Sequence, residues 1–382
     1  MSAKIMVFGV GGGGGNAVAH MVGSGVEDVY YTIANTDVAA LRQKDRSKIK
    51  CIQIGRKTTK GRGAGNNPTV GKASAEENRD DIAAQLQDVS MLFVTAGMGG
   101  GTGTGAAPIV ASVAKEMGIL TVGVVTKPFG FEGPNKMEQA LAGISEMKKY
   151  VDALIVIPNQ RLMMLKGQKL SLKNAFGEVD NVLCRAVLGV IKLLQGSGYM
   201  NVDFADVCMA LRDSGIAHMA IGNGKGENKL DDALDEVLNS PLLETSIDGA
   251  RRGLLNISVP ESFPLEEYES LMNDISEKFN SEARFKCGIV FDDTLADDEL
   301  SLIVVATDFV EEDSPVMKAP VAPTVAPVEK APAPAEEAAA PAPEPTPTPT
   351  PAPDGFSGFG SFSTDTNDMD ALLRKFNQGR DV

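Results

Sequence analysis

The sequence has no tryptophan and only two histidines, His20 and His218. Two histidines are too few for a histidine-based metal site or a Ser–His–Asp triad, so we interpret both as structural residues. The four cysteines lie far apart and form no Cys-x-x-Cys pair. This spacing is typical of free thiols in a reducing compartment and does not predict disulfides or a metal site.

Long apolar runs and excess positive charge are also missing. No stretch reaches 18 apolar residues, so neither a membrane-spanning helix nor direct membrane insertion is expected. Strand-like residues begin almost at the first position, and we therefore expect no signal peptide. The net charge of −15 argues against nucleic acid as the main ligand. A chain of 382 residues that is 43% hydrophobic can nevertheless bury the cores of two or three domains.

Glycine is abundant, and two segments concentrate it. Gly9–Asn16 follows the strand-like run Lys4–Phe8, and Gly97–Gly105 follows the apolar run Met91–Ala96. We expect the second segment to be a loop that ends where a helix begins at Ala106. Such segments expose backbone N–H groups that can cradle phosphate oxygens. Two of them predict one polyphosphate ligand held from two sides.

The first 160 residues alternate between strand-like and helix-like stretches, which is typical of a parallel sheet covered on both faces. The predicted strands are Lys4–Val10, Tyr30–Ala34, Ile52–Gly55, Met91–Ala96, Leu120–Thr126 and Ala153–Ile157. The predicted helices are Asn16–Val22, Ala73–Leu86, Ala106–Met117 and Met137–Tyr150. Because ligands bind at the carboxyl ends of such strands, the unusual loops that follow them should share one rim.

A long core helix, Leu172–Leu194, is predicted to separate this sheet from a second α/β unit. In that unit the predicted elements are helices Asp231–Leu238 and Leu265–Phe279 and strands Gly253–Val259, Phe285–Phe291 and Leu300–Ala306. Residues 314–354 hold 13 of the 21 prolines and predict a disordered linker. The predicted divisions are 1–171, 172–201, 202–312, the linker 313–363 and a C-terminal peptide 364–382.

The C-terminal peptide has an apolar helical face after the linker. A short isolated helix of this kind is marginal in water, so we interpret it as a docking peptide that folds on a partner. The face consists of Met369, Leu372, Leu373 and Phe376.

A second kind of nucleotide-binding motif is present in the sequence, and a third is absent. Gly9-x-Gly11-x-x-Gly14, with Asp37 after the next strand, fits a dinucleotide fingerprint and would favour a nicotinamide dehydrogenase. That alternative leaves the second glycine segment unexplained. A P-loop is absent, because the sequence contains no GxxxxGK[ST].

The segment GGGTGTG at 99–105 resembles the signature of the tubulin superfamily. Three further segments narrow the resemblance to the FtsZ family of bacterial cell-division GTPases: GVGGGGGNAV at 9–18, VVTKPFGFEG at 124–133 and MNVDFADV at 200–207. The resemblance extends from residue 4 to about 310 and again over the tail. It implies a tubulin-like α/β fold, GTP/GDP and Mg²⁺ as ligands, and a head-to-tail homopolymer. It also implies a cytoplasmic protein at the midcell division site, tethered to the membrane by partners that bind the tail. A tubulin-like filament for DNA segregation is the alternative.

By the same resemblance, the two glycine segments bind the phosphates, while the loop near Gly63 closes over the γ-phosphate. Glu132 corresponds to the family's ribose-contacting acid, and Lys136 replaces the family's arginine. Phe176 would stack on guanine, and Asp180 would accept hydrogen bonds from its N1–H and exocyclic amine. The implied contacts are Gly12, Gly13, Gly14, Gly15, Asn16, Gly63, Ala64, Gly65, Gly99, Gly100, Gly101, Thr102, Gly103, Thr104, Gly105, Glu132, Lys136, Asn159, Phe176 and Asp180.

The hydrolytic residues implied by the resemblance lie elsewhere in the chain. Asp203 and Asp206 would orient the attacking water in the site of the next subunit, and Asn201 would support their loop. Mg²⁺ would bridge the β- and γ-phosphates. Read from the local sequence alone, Asn201 or Asp203 could equally cap the helix that follows.

Overall fold

The structure is a computed structural model, and all the residues it describes belong to one compact unit, Met1–Ala319. The predictions for Asn201, the linker and the C-terminal peptide lie outside the described residues. The described residues are 3–24, 26, 28–163, 171–195, 202–240, 250–278 and 284–309.

Ten strands form one sheet in the described residues. They are β1 Ile5–Val10, β2 Val29–Asn35, β3 Ile49–Gln53, β4 Met91–Gly97, β5 Leu120–Lys127, β6 Ala153–Pro158, β7 Gly215–Lys225, β8 Ala250–Val259, β9 Arg284–Phe291 and β10 Glu299–Phe309. The strand order is β3-β2-β1-β4-β5-β6-β7-β10-β8-β9. Strands β1 to β7 pair in parallel, whereas β10 is antiparallel to β7 and β8. The predicted α/β class is confirmed.

The helices cover both faces of the parallel part of the sheet. In the described residues they are α1 Gly11–Val22, α2 Val38–Arg42, α3 Arg56–Thr59, α4 Pro68–Glu77, α5 Arg79–Gln85, α6 Gly101–Glu116, α7 Pro134–Met147, α8 Asn159–Leu162, α9 Leu172–Gln195, α10 Phe204–Leu211, α11 Lys229–Leu238 and α12 Leu265–Lys278. A short 3₁₀ turn covers Gly130–Glu132.

Alternate residues of each buried strand supply two cores. In β1, Val7 packs into the core that contains α1 and α9, whereas Phe8 packs into the core that contains α6. This alternation follows from the period of two in a strand, because successive side chains point to opposite faces. A third core lies between the C-terminal strands and helices α11 and α12.

Both glycine segments differ from their predicted conformation. Helix α1 begins at Gly11 rather than Asn16, and α6 begins at Gly101 rather than Ala106. Glycine is a poor helix former, so the local sequence favours a loop there. Tertiary packing reverses this preference, because α4 approaches α6 so closely that a methyl group on Gly105 would overlap the carbonyl oxygen of Pro68.

Other elements also differ from the predictions. The single helix predicted over Ala73–Leu86 is two helices, α4 and α5, separated at Asn78, where the backbone leaves the helical region. Strand β3 begins and ends a few residues earlier than predicted, and β7 was not predicted. The glycines of β7 weaken its strand signal, but they let α11 approach, since a methyl group on Gly224 would overlap the carbonyl oxygen of Lys229. The predicted domain divisions stay predictions.

Candidate functional site

A cavity of about 280 Å³ lies at the carboxyl ends of β4, β5 and β6, beside the first turns of α1. The parallel strands end at this rim, so segments distant in sequence meet there, as predicted for the loops. The lining residues are Gly13, Asn16, Gly97, Met98, Gly99, Gly100, Thr126, Pro128, Glu132, Lys136, Asn159, Phe176, Val179, Asp180 and Leu183.

The cavity wall contains nine of the predicted contact residues: Gly13, Asn16, Gly99, Gly100, Glu132, Lys136, Asn159, Phe176 and Asp180. The other predicted contacts lie outside the wall, although most adjoin it in sequence. They are Gly12, Gly14, Gly15, Gly63, Ala64, Gly65, Gly101, Thr102, Gly103, Thr104 and Gly105.

The glycines fall into two groups by what surrounds them. A methyl group added to Gly12 or Gly100 would meet no heavy atom within 4 Å, so these residues leave open space for a ligand. A methyl group on Gly14 would overlap the carbonyl oxygen of Thr95, and one on Gly103 would lie 2.5 Å from the carbonyl oxygen of Gly97. The second group is therefore glycine because backbone segments pack directly on one another.

Two threonines hold the second glycine segment in place. The backbone N–H of Gly99 donates to Oγ1 of Thr104, which is buried, over 2.8 Å. The hydroxyl of Thr102 lies 2.7 Å from that of Thr36, which directly follows strand β2. These contacts fix the turn that presents Gly99 and Gly100 to the cavity.

The loop with Gly63 and Gly65 packs against the start of α6. Both glycines have positive φ angles, 82° and 57°, which favour glycine. Between them, Ala64 is buried, and a methyl group on Gly101 would lie 2.9 Å from its Cβ. The loop thus adjoins the glycine segment without forming the cavity wall.

Glu132 and Lys136 form an ion pair on one side of the cavity. Nζ of Lys136 lies 3.0 Å from Oε2 of Glu132, and the backbone N–H of Phe129 donates to Oε1 over 2.9 Å. Glu132 is therefore held in place, and Lys136 adds positive charge next to it.

Another part of the cavity wall combines an exposed aromatic ring with two hydrogen-bond acceptors. Phe176 is 43% exposed, so it is not a core residue, and its ring meets Phe129 edge to face at 5.3 Å. Asn159 is buried, and its Oδ1 has no hydrogen-bond partner among the described residues. Burial raises the pKa of Asp180, while the positive charges of His20 and Lys44 oppose that rise. This end of the cavity is suited to a flat ligand that donates hydrogen bonds.

Several wall residues were not predicted: Gly97, Met98, Thr126, Pro128, Val179 and Leu183. Two of these residues, Val179 and Leu183, could have been predicted from the sequence. They recur at helical spacing with Phe176 and Asp180 and therefore share their face of α9. The others lie at or just after the ends of strands and carry no distinctive side-chain chemistry.

Asp203 and Asp206 lie away from the cavity, at the start of α10. Oδ1 of Asp203 accepts the backbone N–H of Asp206 at 2.7 Å, so Asp203 does cap the helix. Asp206 forms a 2.7 Å ion pair with Lys286. The chain after α10 binds the residue that precedes β6, since the N–H of Ser214 donates to the carbonyl oxygen of Asp152.

The cavity and α10 are therefore at opposite ends of β6. Asn159 directly follows this strand and Asp152 directly precedes it, which separates them by about 20 Å. Helix α9 begins near the cavity, because its first turns carry the wall residues Phe176 and Asp180. It has 24 residues and is about 36 Å long.

Comparison with known proteins identifies the family. The family model for the Tubulin/FtsZ family, GTPase domain, matches residues 4–166, and that for the FtsZ family, C-terminal domain, matches residues 215–310. A solved structure described as an empty FtsZ dimer from M. jannaschii is 39% identical, with a TM-score of 0.76. The match covers 80% of this chain and 88% of that one. This chain belongs to the FtsZ family.

Membership of the FtsZ family makes residues 4–166 a GTPase domain that binds GTP and GDP, and it removes the dehydrogenase alternative. CetZ2 from Haloferax volcanii, solved as a GTPγS-bound protofilament, is 19% identical with a TM-score of 0.66, and this likeness supports the fold alone. That match covers 81% of this chain and 94% of that one. In the part of the chain that the structure describes, no helix is both long and apolar enough to cross a membrane.

Proposed function

We propose that this chain polymerises head to tail as it binds and hydrolyses GTP, and that it builds the division ring of a bacterial cell at midcell. In this proposal the cavity of one subunit binds the nucleotide, and Asp203 and Asp206 of the next subunit complete the hydrolytic site. The observation that carries it is the separation of these acids from the cavity by the length of β6. Acids placed there cannot act on a nucleotide held in their own subunit.

The cavity chemistry supports guanine as the base. Oδ1 of Asn159 needs a donor, and the carboxylate of Asp180 accepts hydrogen bonds. Guanine offers an N1–H and an exocyclic amine to such acceptors, whereas adenine has no N1–H. Phe176 would stack on the ring, and the open backbone at Gly12 and Gly100 would receive the phosphates.

The metal ion would be brought by the nucleotide. No group of three or more His, Cys, Asp or Glu side chains within the described ranges could hold a metal ion. Mg²⁺ in nucleotide sites is held largely by phosphate oxygens and water, so no protein carboxylate cage is required. When bound, it neutralises charge on the phosphates. The protein then has to bind the phosphates, exclude water and orient the one water that reacts.

Head-to-tail contact explains how a separated site could act. A contact between two different surfaces that does not close a ring extends into a filament. The FtsZ from M. jannaschii was solved as a dimer, which supports self-association here. Division proteins that tether the filament to the membrane would bind the peptide 364–382, a part of the proposal that rests on sequence alone.

The decisive experiment measures GTP hydrolysis across protein concentrations. If the site is shared, the rate per molecule rises with concentration and levels off above the assembly threshold, which light scattering reports on the same samples. A rate per molecule that stays constant at high dilution, where scattering reports no assembly, would refute the shared site.

A further inference from the structure

Lys44 contacts the cavity wall from an element that is not itself part of the wall. It lies in the turn between α2 and β3, and its Nζ donates to Oδ1 of Asn16 over 2.8 Å. The aliphatic part of the Lys44 side chain lies against the first turns of α1, since a methyl group on Gly15 would lie 3.9 Å from Cε of Lys44. Lys44 is half-buried, whereas its neighbours Gln43 and Asp45 are exposed.

This contact decides which end of the Asn16 amide is available to a ligand. A lysine ammonium can only donate, so it holds the amide with Oδ1 towards Lys44. Among the described residues, Nδ2 of Asn16, a double donor, has no partner, and Asn16 lines the cavity. Without the ammonium, the amide of Asn16 could turn either Oδ1 or Nδ2 towards the ligand. Ligand binding would then have to fix one of these two orientations.

The positive charge of Lys44 also lowers the pKa of Asp180, which burial raises. The charge of His20 acts in the same direction as that of Lys44. The thiol of Cys184 on α9 adds no positive charge, and Glu132 and Lys136 elsewhere in the wall are paired with each other. Lys44 thus favours the ionised carboxylate, as does His20 whenever it carries a charge.

We propose that Lys44 is a positioning residue for guanine recognition, acting through Asn16 and Asp180. The inference rests on the proposed binding of GTP in this cavity, and it adds a residue that lies outside both glycine segments in the sequence. Lys44 gives the cavity wall a preset donor in the side chain of Asn16 on α1 and a preset acceptor in Asp180 on α9.

The test compares three variants of the full-length chain below its assembly threshold. Lys44→Met keeps an apolar stem but removes the charge, Lys44→Arg keeps the charge and the donors, and Lys48→Met removes an exposed charge from the same turn. GTP affinity is measured by calorimetry from pH 5 to pH 8. Lys44→Met should weaken binding about tenfold, the scale of one hydrogen bond to a charged group. Lys44→Arg should restore most of the loss, and Lys48→Met should bind like the wild type.

The pH profile separates positioning from simple structural support. Protonation of Asp180 turns one of its two acceptor oxygens into a donor, which mismatches one of guanine's two donors, so affinity falls as the pH drops. Loss of the Lys44 charge raises the pKa of Asp180 further, and the fall should therefore occur at higher pH in Lys44→Met. Unchanged affinity in Lys44→Met, an equal loss in Lys44→Arg, or an unmoved pH midpoint would each overturn the inference. A wild-type chain that binds ATP as well as GTP would instead refute the proposed function.

Discussion

Asp180 is expected to favour ligand binding while lowering the stability of the empty protein. Burial raises the pKa of this carboxyl in the folded protein, so the folded state holds the proton more tightly than the unfolded chain. Its contribution therefore favours folding below the unfolded pKa and is lost as the pH rises through the folded pKa. At neutral pH the ionised carboxylate destabilises the empty protein.

Asp180→Asn should consequently change binding and stability in opposite directions. GTP binding should weaken by roughly 2 kcal/mol, because the amide mismatches one of guanine's two donors, while xanthine nucleotide should gain. The melting temperature of the nucleotide-free protein should rise slightly at pH 7, and this rise should shrink towards pH 4. Calorimetric titration and thermal melts check both, with the exposed Asp231→Asn as the control for loss of charge. Unchanged GTP affinity would mean that Asp180 does not contact the base.

At the scale of the element, helix α6 begins with glycines that serve two different purposes. Gly100, its N-cap, has φ −92° and open space around its Cα, whereas Gly105 lies against the backbone of α4. The same substitution should therefore have separable effects at the two positions.

Gly105→Ala should destabilise the fold by about 2 kcal/mol, because the added methyl group forces α4 and α6 apart. Gly100→Ala should lower stability by less than about 1 kcal/mol, the effect of a poorer cap, but it should weaken GTP binding by crowding the phosphates. Denaturant unfolding without nucleotide and GTP titration of each variant measure the two effects. Equal destabilisation by both substitutions would contradict this division.

At the scale of the whole molecule, the proposed site exists only between two copies, so two inactive variants should rescue each other. Asp203→Asn should keep the α10 cap, since asparagine caps as well as aspartate, yet lose hydrolysis. Asp180→Asn retains the acids but binds GTP poorly. Mixed in equal amounts, a cavity from the first variant meets acids from the second at roughly a quarter of random contacts.

GTP hydrolysis of this mixture should clearly exceed the sum of the two separate rates at a limiting GTP concentration. The control mixture combines Asp203→Asn with Asp206→Asn, which supplies no intact acid pair and should stay inactive. Rates that merely add in the first mixture would place the whole hydrolytic site within one subunit.

The sequence by itself determined the features that depend on neighbouring residues. Short apolar runs that alternate with helix-like stretches placed most strands of the sheet, and the α/β order predicted that the loops after them share one rim. The glycine segments indicated phosphate binding because a run of glycines exposes backbone N–H groups, and such a run is visible in the sequence itself. These predictions depend on local sequence patterns, which are the same in the folded and the unfolded chain.

Only the tertiary structure decided what depends on contacts between distant segments. It made Gly101 to Gly105 helical, because packing of α4 on α6 outweighs the weak helix propensity of glycine. It separated glycines that leave space for a ligand from glycines that let backbones touch. It brought Lys44 onto Asn16, 28 positions away in the chain. It also set Asp203 and the cavity at opposite ends of β6, because a strand holds its two ends apart by its own length.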